Sequence, residues 1–462
     1  MISNLVKSHQ SYFLKGFKIS IFKKKKMSKR IVGFSKLSKE KKIDWITKTH
    51  FKDSKNAANR LRSYWNSSLN VQNQHDEFVE NTLTNFYMPL GVAPNFLINN
   101  TVYTLPMVIE ESSVVAAAAN AAKFWLNKGG FDVEVIDTIK VGQVHFLFDG
   151  DPSILTSFFK NNEIALLDAI KPLTVNMEKR GGGVVSLDLI DKTIAIDHYY
   201  QLHVRFRTAD AMGANFINSC LESLAGALEE QSQQNKSFAS QNSRIEVIMS
   251  ILSNYVPECL VRAKVSCPIN TIEPQEGMSG VIFAKKIIQA IEIANCETYR
   301  AVTHNKGIMN GVDALVLATG NDFRAIEAGV HSYAARSGHY SSLSQASISK
   351  DQFNMELTLP LAIGTVGGLT KLHPMVGWCM ELIGNPDAKT LMTIIAAAGL
   401  AQNFSALRSL VTSGIQKGHM KMHLFNILNQ LQATEKQKEK ALIYFKTNTV
   451  SVKAVNNFLS HN

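Results

Sequence analysis

Apolar residues near the start of the chain recur at the three- to four-residue spacing of amphipathic helices. This spacing predicts helices over 40–49, 54–65 and 75–86. The first of them follows a Ser-Lys-Leu-Ser stretch, and serine is a favoured residue at the N-terminus of a helix. The pattern therefore predicts that the chain opens with a helical region.

A hairpin and a helix follow this region. Two strand-like runs, 96–98 and 102–108, are joined by Asn99-Asn100, which favours a tight turn. The second run leads into Glu110-Glu111, and an alanine-rich helix then extends to Gly129-Gly130. Acids at a helix start commonly only complement the helix dipole, but they are also candidate proton donors for catalysis.

Residues 131–253 form a unit with its own alternation of elements. The pattern predicts a strand over 133–148, a helix over 152–177, two strands over 184–190 and 194–206, a helix over 212–230 and a strand over 245–252. A Ser/Gln/Asn-rich loop is expected over 231–243. The order β-α-β-β-α-β is typical of a ferredoxin-like sandwich. Small residues over 208–215 would let a ligand approach the backbone where a strand passes into a helix.

The stretch 299–322 carries the densest candidate chemistry. Its glycines and its Asn310-Gly311 step predict a turn-rich segment, followed by a short buried strand over 314–318. Lys306 lies before this strand and Asp322 after it, so the two side chains could meet in space. Such a pair suits the stabilisation of a carbonyl oxygen that gains negative charge, although an ordinary salt bridge gives the same pattern.

The elements together predict an α+β protein. We expect a large mixed α/β domain from 31–130 and 254–412, with the ferredoxin-like domain 131–253 inserted into it. A polar, helical flap follows over 413–462, and His419 lies near its start, directly after Gly418. A histidine on a glycine-hinged segment is either a mobile acid or simply an exposed residue.

The net charge of +11 is concentrated at the N-terminus. Nine basic residues and no acid lie in residues 1–30, which leaves +2 for the rest of the chain and disfavours nucleic-acid binding. Met27 directly follows the Lys23–Lys26 run, so it is a candidate for the true start of the protein. A basic targeting peptide and a disordered tail are the alternatives.

Composition is typical of a soluble globular protein in a reducing compartment. Apolar residues make up 45% and charged residues 19% of the chain, and no run of 18 apolar residues occurs. The five cysteines are odd in number and form no CxxC, which predicts neither disulfides nor a structural zinc site. We expect a cytoplasmic protein without a metal and without a membrane span.

Five segments, taken in order, resemble the class II 3-hydroxy-3-methylglutaryl-coenzyme A (HMG-CoA) reductases. They read PMVIEESSVVAAAANAAK, DAMGAN, ILSN, YRAVTHNKGIMNG with LATGND, and SGIQKGHM. The resemblance extends from about Ile31 to the C-terminus. It implies reduction of HMG-CoA to mevalonate and coenzyme A by two NADPH or NADH, in the mevalonate route to isoprenoids. It also implies a homodimer, or a multiple of dimers, with sites between subunits.

The resemblance also implies roles for individual residues. Lys306 would stabilise the oxyanion, Glu111 would supply protons, Asp322 would lie between them, and His419 would protonate the coenzyme A thiolate. A protonated Glu111 requires a raised pKa, which burial and a neighbouring carboxylate supply. The HMG group would be bound by Ser113, Arg300, Thr303 and Asn310. The nicotinamide cofactor would be bound by Asp210, Ala211, Met212, Gly213, Ala214, Asn215 and Asn254.

Three positions depart from the family pattern. Ser112 stands where proline is usual, Glu80–Thr84 differs from the usual acid-Asn-Val-Ile-Gly segment, and Lys36 stands near a usual arginine. In NADH-preferring members an acid on the helix before the triple glycine binds the ribose diol. Here Thr174 and Asn176 lie nearest to that position, among Lys171, Lys179 and Arg180, and Asp168 lies less than two turns upstream. This favours NADPH or dual use. A related acyl-CoA or aldehyde reductase and an inactive binding homologue are the remaining alternatives.

Overall fold

The protein is represented by a computed structural model that describes residues 29–272, 277–370, 372–412, 414 and 424–461. Two compact units divide the described chain, one ending at Tyr87 and the other beginning at Met88. The predicted basic extension 1–30 lies almost entirely outside the described residues. The predicted division into domains at 130, 253 and 412 stays a prediction.

The first unit contains three short helices: α1 (Lys39–His50), α2 (Ser54–Arg62) and α3 (Leu69–Asp76). Ser38 begins α1, and its side chain accepts a hydrogen bond from the Lys41 N–H, as the sequence predicted. The predicted helix over 75–86 is wrong, because α3 ends at Asp76. The segment after it is tied down irregularly, with the Trp65 indole donating to the Leu83 carbonyl at 2.9 Å.

The second unit begins with a hairpin and a helix. Strands β1 (Leu90–Ile98) and β2 (Thr101–Val108) pair antiparallel. Asn99 and Asn100 have φ of 45° and 67°, the left-handed conformation that asparagine tolerates in such turns. Helix α4 (Val114–Leu126) follows. The hairpin and the helix are thus confirmed.

The remaining elements of the second unit form two four-stranded sheets and the helices that cover them. In chain order they are β3 (Asp132–Val135), β4 (Lys140–Phe148), α5 (Pro152–Glu178), β5 (Gly183–Asp191), β6 (Tyr199–Arg207), α6 (Ala214–Gln233), α7 (Lys236–Ser240), β7 (Ile245–Leu252), β8 (Leu260–Pro268), α8 (Gly280–Cys296), α9 (Thr298–Ala318), α10 (Phe323–Ala334), β9 (Ser344–Ser349), β10 (Gln352–Pro360), α11 (Pro374–Leu382) and α12 (Ala388–Val411).

One sheet has the strand order β5-β6-β4-β7, with every pair antiparallel. Helices α5 and α6 bury their apolar residues with this sheet in one cluster that includes Phe146, Phe158 and Leu221. The predicted order β-α-β-β-α-β is therefore observed for β4 to β7. The predicted loop 231–243 needs correction, because it contains the end of α6 and the short helix α7.

The other sheet has the order β3-β8-β10-β9. The sequence predicted one strand over 133–148, and this is wrong, because β3 and β4 belong to different sheets. Asp137 lies in the break, where its carboxylate accepts from the Thr138 N–H at 2.7 Å and pairs with Arg207. Its carbonyl also accepts from the Leu260 N–H. These contacts end one sheet and start the next within a few residues.

Helix α12 forms the centre of the largest apolar core. By length and composition it could cross a membrane, but 78% of its apolar window is buried inside the protein. Helix α9 packs closely on it: a Cβ added to Gly311 would lie 2.6 Å from the Ala398 carbonyl oxygen. Backbone contact of this kind needs glycine at the crossing point.

The C-terminal region beyond residue 424 is helical, as predicted. Residues 424–430, Glu435–Tyr444 and Val452–Ser460 are helices. They bury a small core of their own that includes Leu428, Ala441 and Val455.

Candidate active site

A cleft of about 390 Å³ is lined by residues of α9, the start of α4 and the C-terminal half of α12. Six of the predicted residues line it together: Glu111, Ser113, Arg300, Thr303, Lys306 and Asn310. They come from two segments about 190 residues apart in the sequence. The structure therefore gathers the predicted proton donor, lysine and substrate residues in one cavity, and their roles stay predictions.

Helix α9 replaces the predicted turn and strand, so that part of the sequence interpretation is wrong. The stretch is helical from Thr298 to Ala318, with both Gly307 and Gly311 in its interior. On a helix, the spacing of Arg300, Thr303, Lys306 and Asn310 places them on one face. The helix thus presents its polar residues to the cleft as a stripe.

Lys306 and Glu111 form the ionic contact of the cleft. The Lys306 ammonium donates to Glu111 Oε2 at 2.7 Å, which joins α9 to the loop between β2 and α4. Their side chains remain 60% and 38% exposed, so a ligand in the cleft can reach both. A cation and a carboxyl group in contact can stabilise charge on a substrate oxygen and exchange a proton with it.

Ser113 directly precedes α4 and has a backbone conformation that is unusual for serine. Its φ is +79°, and its side chain makes no capping hydrogen bond to the helix. The hydroxyl oxygen is buried without a hydrogen-bond partner among the described residues. A helix start of this kind leaves backbone N–H groups and positive dipole charge available to an anion. Strained backbone at a cleft is a common mark of a functional site.

Arg300 adds positive charge to the same cleft. Burial lowers the pKa of its guanidinium, yet arginine remains protonated at any physiological pH. Among the described residues the guanidinium forms no ion pair, and a partly buried cation without a counter-ion favours an anionic ligand.

The inner side of the cleft carries three polar residues that the sequence pattern did not predict as site residues: His304, Gln402 and Asn403. All three are at least 95% buried, and each has a polar atom without a partner in the described structure. The His304 Nε2 lies 2.8 Å from the Ser344 hydroxyl and 3.2 Å from the Asn403 amide nitrogen. Burial, and secondarily the charge of Arg300, lowers the pKa of His304 to about 3, so the ring is neutral. The signal in the sequence was a Gln-Asn pair within an otherwise apolar helix.

Asp322 does not join this cleft within one chain. Its carboxylate caps α10, accepting from the Arg324 and Ala325 N–H groups, and it pairs with the Arg324 side chain. Lys306 lies twelve residues before the end of α9 at Ala318, about 18 Å along the helix axis. Among the described residues Asp322 has no hydrogen bond to Lys306 or Glu111. The expectation that it lies between them therefore fails for a single subunit.

The predicted cofactor segment lies near the C-terminal end of α9. The Asn321 amide oxygen accepts from the Gly364 N–H, and a Cβ on Gly364 would lie 2.3 Å from the Met212 nitrogen. Asn254 is also close, since a Cβ on Gly329 of α10 would lie 2.7 Å from its carbonyl oxygen. The predicted cofactor residues thus lie on the Asp322 side and not in the cleft: Asp210, Ala211, Met212, Gly213, Ala214, Asn215 and Asn254.

The segment 210–215 has features that fit a nucleotide. Gly213 precedes α6 with φ of +100° and has no side chain that could cap the helix, which leaves the first N–H groups of α6 for a phosphate or an amide. Ala211 and Ala214 are small enough to let a ligand approach the backbone. His419, the predicted thiolate acid, lies outside the described residues.

Comparisons with known proteins identify the family. Residues 40–424 match the model of hydroxymethylglutaryl-coenzyme A reductase. The 3-hydroxy-3-methylglutaryl-coenzyme A reductase of Archaeoglobus fulgidus is 35% identical over 411 residues, covering 88% of each chain. A probable reductase of the same name from Borreliella burgdorferi is 33% identical over 380 residues, covering 80% of this chain and 84% of the relative.

Similar solved structures are also hydroxymethylglutaryl-coenzyme A reductases. A class II 3-hydroxy-3-methylglutaryl-CoA reductase from Streptococcus pneumoniae, bound to NADPH in open conformations, matches with a TM-score of 0.68 and 35% identity. The match covers 84% of this chain and 92% of that one. Another structure of the S. pneumoniae enzyme gives a TM-score of 0.69 at 33% identity, covering 93% and 99%. These matches define the fold and the class of protein, a nicotinamide-dependent oxidoreductase. The chain belongs to the hydroxymethylglutaryl-coenzyme A reductase family.

Proposed function

We propose that this protein reduces HMG-CoA to mevalonate, with two reduced nicotinamide nucleotides and two protons consumed and coenzyme A released. The observation that carries the proposal is the ion pair of Lys306 and Glu111 in a cleft lined by further cationic and buried polar groups. The nucleotide supplies the hydride in each of the two reductions. The protein's task is then to bind the acyl group and to manage charge and protons at one oxygen.

Lys306 and Glu111 divide that task. Each hydride transfer places negative charge on the former carbonyl oxygen, and the Lys306 ammonium stabilises it. Glu111, in contact with Lys306, supplies the proton that the oxygen takes up. His419 is proposed to protonate the coenzyme A thiolate that leaves after the first reduction.

The carboxylate at the far end of the HMG group explains the rest of the cleft. The uncapped start of α4 at Ser113 and the guanidinium of Arg300 both favour an anion. Thr303 and Asn310 lie on the same face of α9 and offer polar contacts to the tertiary hydroxyl. An acyl-CoA without a carboxylate would leave these groups unpaired, which is a basis for specificity.

The cofactor segment 210–215, with Asn254, is proposed to bind the nicotinamide end of the nucleotide. The lysines and arginine at the end of α5, Lys171, Lys179 and Arg180, favour NADPH or dual use. The S. pneumoniae relative bound to NADPH supports this choice. All five cysteines are free, which supports a reducing location such as the cytoplasm.

A homodimer is proposed because one chain separates the parts of the site. The Lys306–Glu111 pair lies at the middle of α9, whereas Asp322 and the cofactor segment lie near its C-terminal end, about 18 Å further along the helix axis. In a two-fold dimer the Asp322 region of one subunit can lie against the Lys306 cleft of its partner. By symmetry the same contact then forms a second time, with the two subunits exchanged. Two complete sites result, each with Asp322 contributed by the second subunit.

The activity is tested by following the absorbance of NADPH and of NADH, separately, with HMG-CoA as the acceptor. We expect oxidation that depends on HMG-CoA, and none with an acyl-CoA that lacks a carboxylate. Oxidation with simple acyl-CoAs at a similar rate would indicate a general acyl-CoA reductase. No oxidation by the wild-type dimer with either nucleotide would refute the proposal.

The shared site is tested by mixing inactive variants. Lys306→Ala and Asp322→Asn dimers are each expected to be inactive, but a mixed dimer contains one intact site. After random subunit exchange of equal amounts, activity should return to about a quarter of the wild type. The control is a mixture of Lys306→Ala with Glu111→Gln, whose defects lie in the same cleft, and it should stay inactive. Equal behaviour of the two mixtures would contradict a site shared between subunits.

A further inference from the structure

Lys140 is a buried lysine that the reaction itself does not use. It begins β4 and is 5% exposed. Its ammonium donates to the Thr208 hydroxyl oxygen at 2.6 Å and to the Ala211 carbonyl oxygen at 2.8 Å. Removing an ammonium group from water costs free energy, so a lysine in this position calls for a specific role.

The two acceptors of Lys140 flank the tight turn that leads into the cofactor segment. The Thr208 hydroxyl also donates to the Ala211 carbonyl at 2.7 Å, which closes a triangle of hydrogen bonds. Between them Ala209 has φ of +46°, a conformation that alanine adopts rarely. Gly213 follows with φ of +100°, and a Cβ added to it would lie 2.6 Å from the Thr208 side chain. The turn is strained, and Lys140 ties together its two sides.

The opposite side of the same segment is bound to other elements. The Asp210 carbonyl accepts from the Thr365 N–H at 2.8 Å, and its carboxylate accepts from the Ala388 N–H at 2.9 Å. Ala388 is the first residue of α12, the helix whose other half lines the substrate cleft. Lys140 therefore completes a frame around Asp210–Gly213.

We infer that Lys140 is a positioning residue for the nicotinamide nucleotide, acting through the turn 208–213 and not through direct contact. This rests on the proposed function of that segment. Without the ammonium, the Ala211 carbonyl and the Thr208 hydroxyl lose their buried donor, and the turn relaxes away from the geometry that presents the start of α6.

The charge of Lys140 supports the same role. Burial lowers the pKa of Lys140, and the negative charge of the Asp210 carboxylate opposes this effect. A cation held behind the segment also attracts the phosphates of a nucleotide bound in front of it. The hydrogen bonds and the charge of Lys140 should both affect the affinity for the nucleotide, and neither should affect the cleft that binds HMG-CoA.

The test compares Lys140→Met with the wild-type dimer in two titrations. We expect the Kd for NADPH, measured by its fluorescence, to rise about tenfold or more, as for loss of hydrogen bonds from a charged donor. The KM for HMG-CoA should stay within about twofold. The matched control is Lys160→Met, which removes an exposed lysine of α5 and should leave both values unchanged.

Thr208→Val is a second, milder variant. It removes the hydroxyl of Thr208 from the triangle but keeps the hydrogen bond from the Lys140 ammonium to the Ala211 carbonyl. It should also raise the Kd for NADPH selectively, and it decides the matter if Lys140→Met does not fold. Unchanged NADPH affinity in a folded variant, or an equal loss of HMG-CoA affinity, would overturn the inference. Failure of the wild type to oxidise NADPH with HMG-CoA would instead refute the proposed function.

Discussion

Lys306 donates a 2.7 Å hydrogen bond to Glu111, although 195 residues separate them in the chain. The contact joins the middle of α9 to the loop before α4, and both side chains stay accessible. An exposed ion pair contributes little to stability. Its value here is to hold a cation and an acid together where a substrate oxygen can reach both.

Replacing Lys306 by alanine should lower turnover at least about a hundredfold, comparable to the loss of one oxyanion donor. The fold should persist, because the lysine side chain is 60% exposed. Steady-state kinetics and a thermal melt check both statements. Lys286→Ala, at an exposed position of α8, is the control. Near-normal turnover in a folded Lys306→Ala variant would remove Lys306 from the mechanism.

Two substitutions of Ser113 distinguish the role of its hydroxyl in substrate binding from the effect of its backbone conformation on stability. Ser113→Ala keeps a residue with a Cβ at φ of +79°, whereas Ser113→Gly relieves that strain. We expect both variants to raise the KM for HMG-CoA, because both lose the hydroxyl. The glycine variant should be more stable than the alanine variant by about 1 kcal/mol, because it relieves the backbone strain, and it should therefore melt at a higher temperature. A wild-type KM in either variant would show that the hydroxyl does not bind the substrate.

The two glycines inside α9 should respond in opposite ways to alanine. At Gly311 the added Cβ would lie 2.6 Å from the Ala398 carbonyl oxygen, so Gly311→Ala should destabilise the protein by about 1–3 kcal/mol. At Gly307 the added Cβ would have no described atom within 4 Å apart from the backbone of α9 itself, so alanine should stabilise the helix by up to about 1 kcal/mol. Denaturant unfolding of the two variants measures the difference. Equal stabilities would contradict the close packing of α9 on α12.

Asp313 makes stability depend on pH. Burial, with secondary effects of the neighbouring Glu327, raises its pKa to about 9. The folded protein therefore keeps a proton that the unfolded chain releases near pH 4, and stability falls as the pH rises between these values. Glu327, whose pKa is lowered mainly by a hydrogen bond with His331, acts in the opposite sense and only in the acidic range. Measurements between pH 6 and 9 isolate the Asp313 contribution.

Asp313→Asn should flatten this dependence, because asparagine keeps a neutral hydrogen-bonding group at the position. Its melting temperature should exceed that of the wild type by more at pH 9 than at pH 6. Glu439→Gln, at an exposed position of a C-terminal helix, should leave the pH dependence unchanged. A parallel pH dependence in wild type and Asp313→Asn would show that Asp313 is ionised in the folded protein.

His419 should matter only for the half-reaction that releases a thiolate. A cysteine-type thiol has an unperturbed pKa of about 8.5 and a histidine one of about 6.5, so a histidine can protonate a leaving thiolate at neutral pH. We expect His419→Gln to impair reduction of HMG-CoA much more than reduction of mevaldehyde. Rates with the two substrates measure this directly. Equal losses in both would assign His419 a different task.

The sequence by itself determined most elements and the family. Alternating and helical periodicities predicted the hairpin before α4 and the β-α-β-β-α-β order of β4 to β7, because these signals are local and repeat over many residues. The motif around Lys306 and the segment around Glu111 identified six residues of the cleft, although not the buried His304, Gln402 and Asn403. Their type and order in the chain carried that information without any geometry.

Only the tertiary structure decided how these residues meet. Gly307 and Asn310-Gly311 indicate turns locally, but packing on α12 makes the stretch helical, with Gly311 as the contact point. Asp137 divides a predicted single strand between two sheets through bonds to distant residues. Asp322 lies at the far end of α9 because a helix separates residues by about 1.5 Å per step. No local pattern contains such long-range contacts, so the sequence alone could not place them.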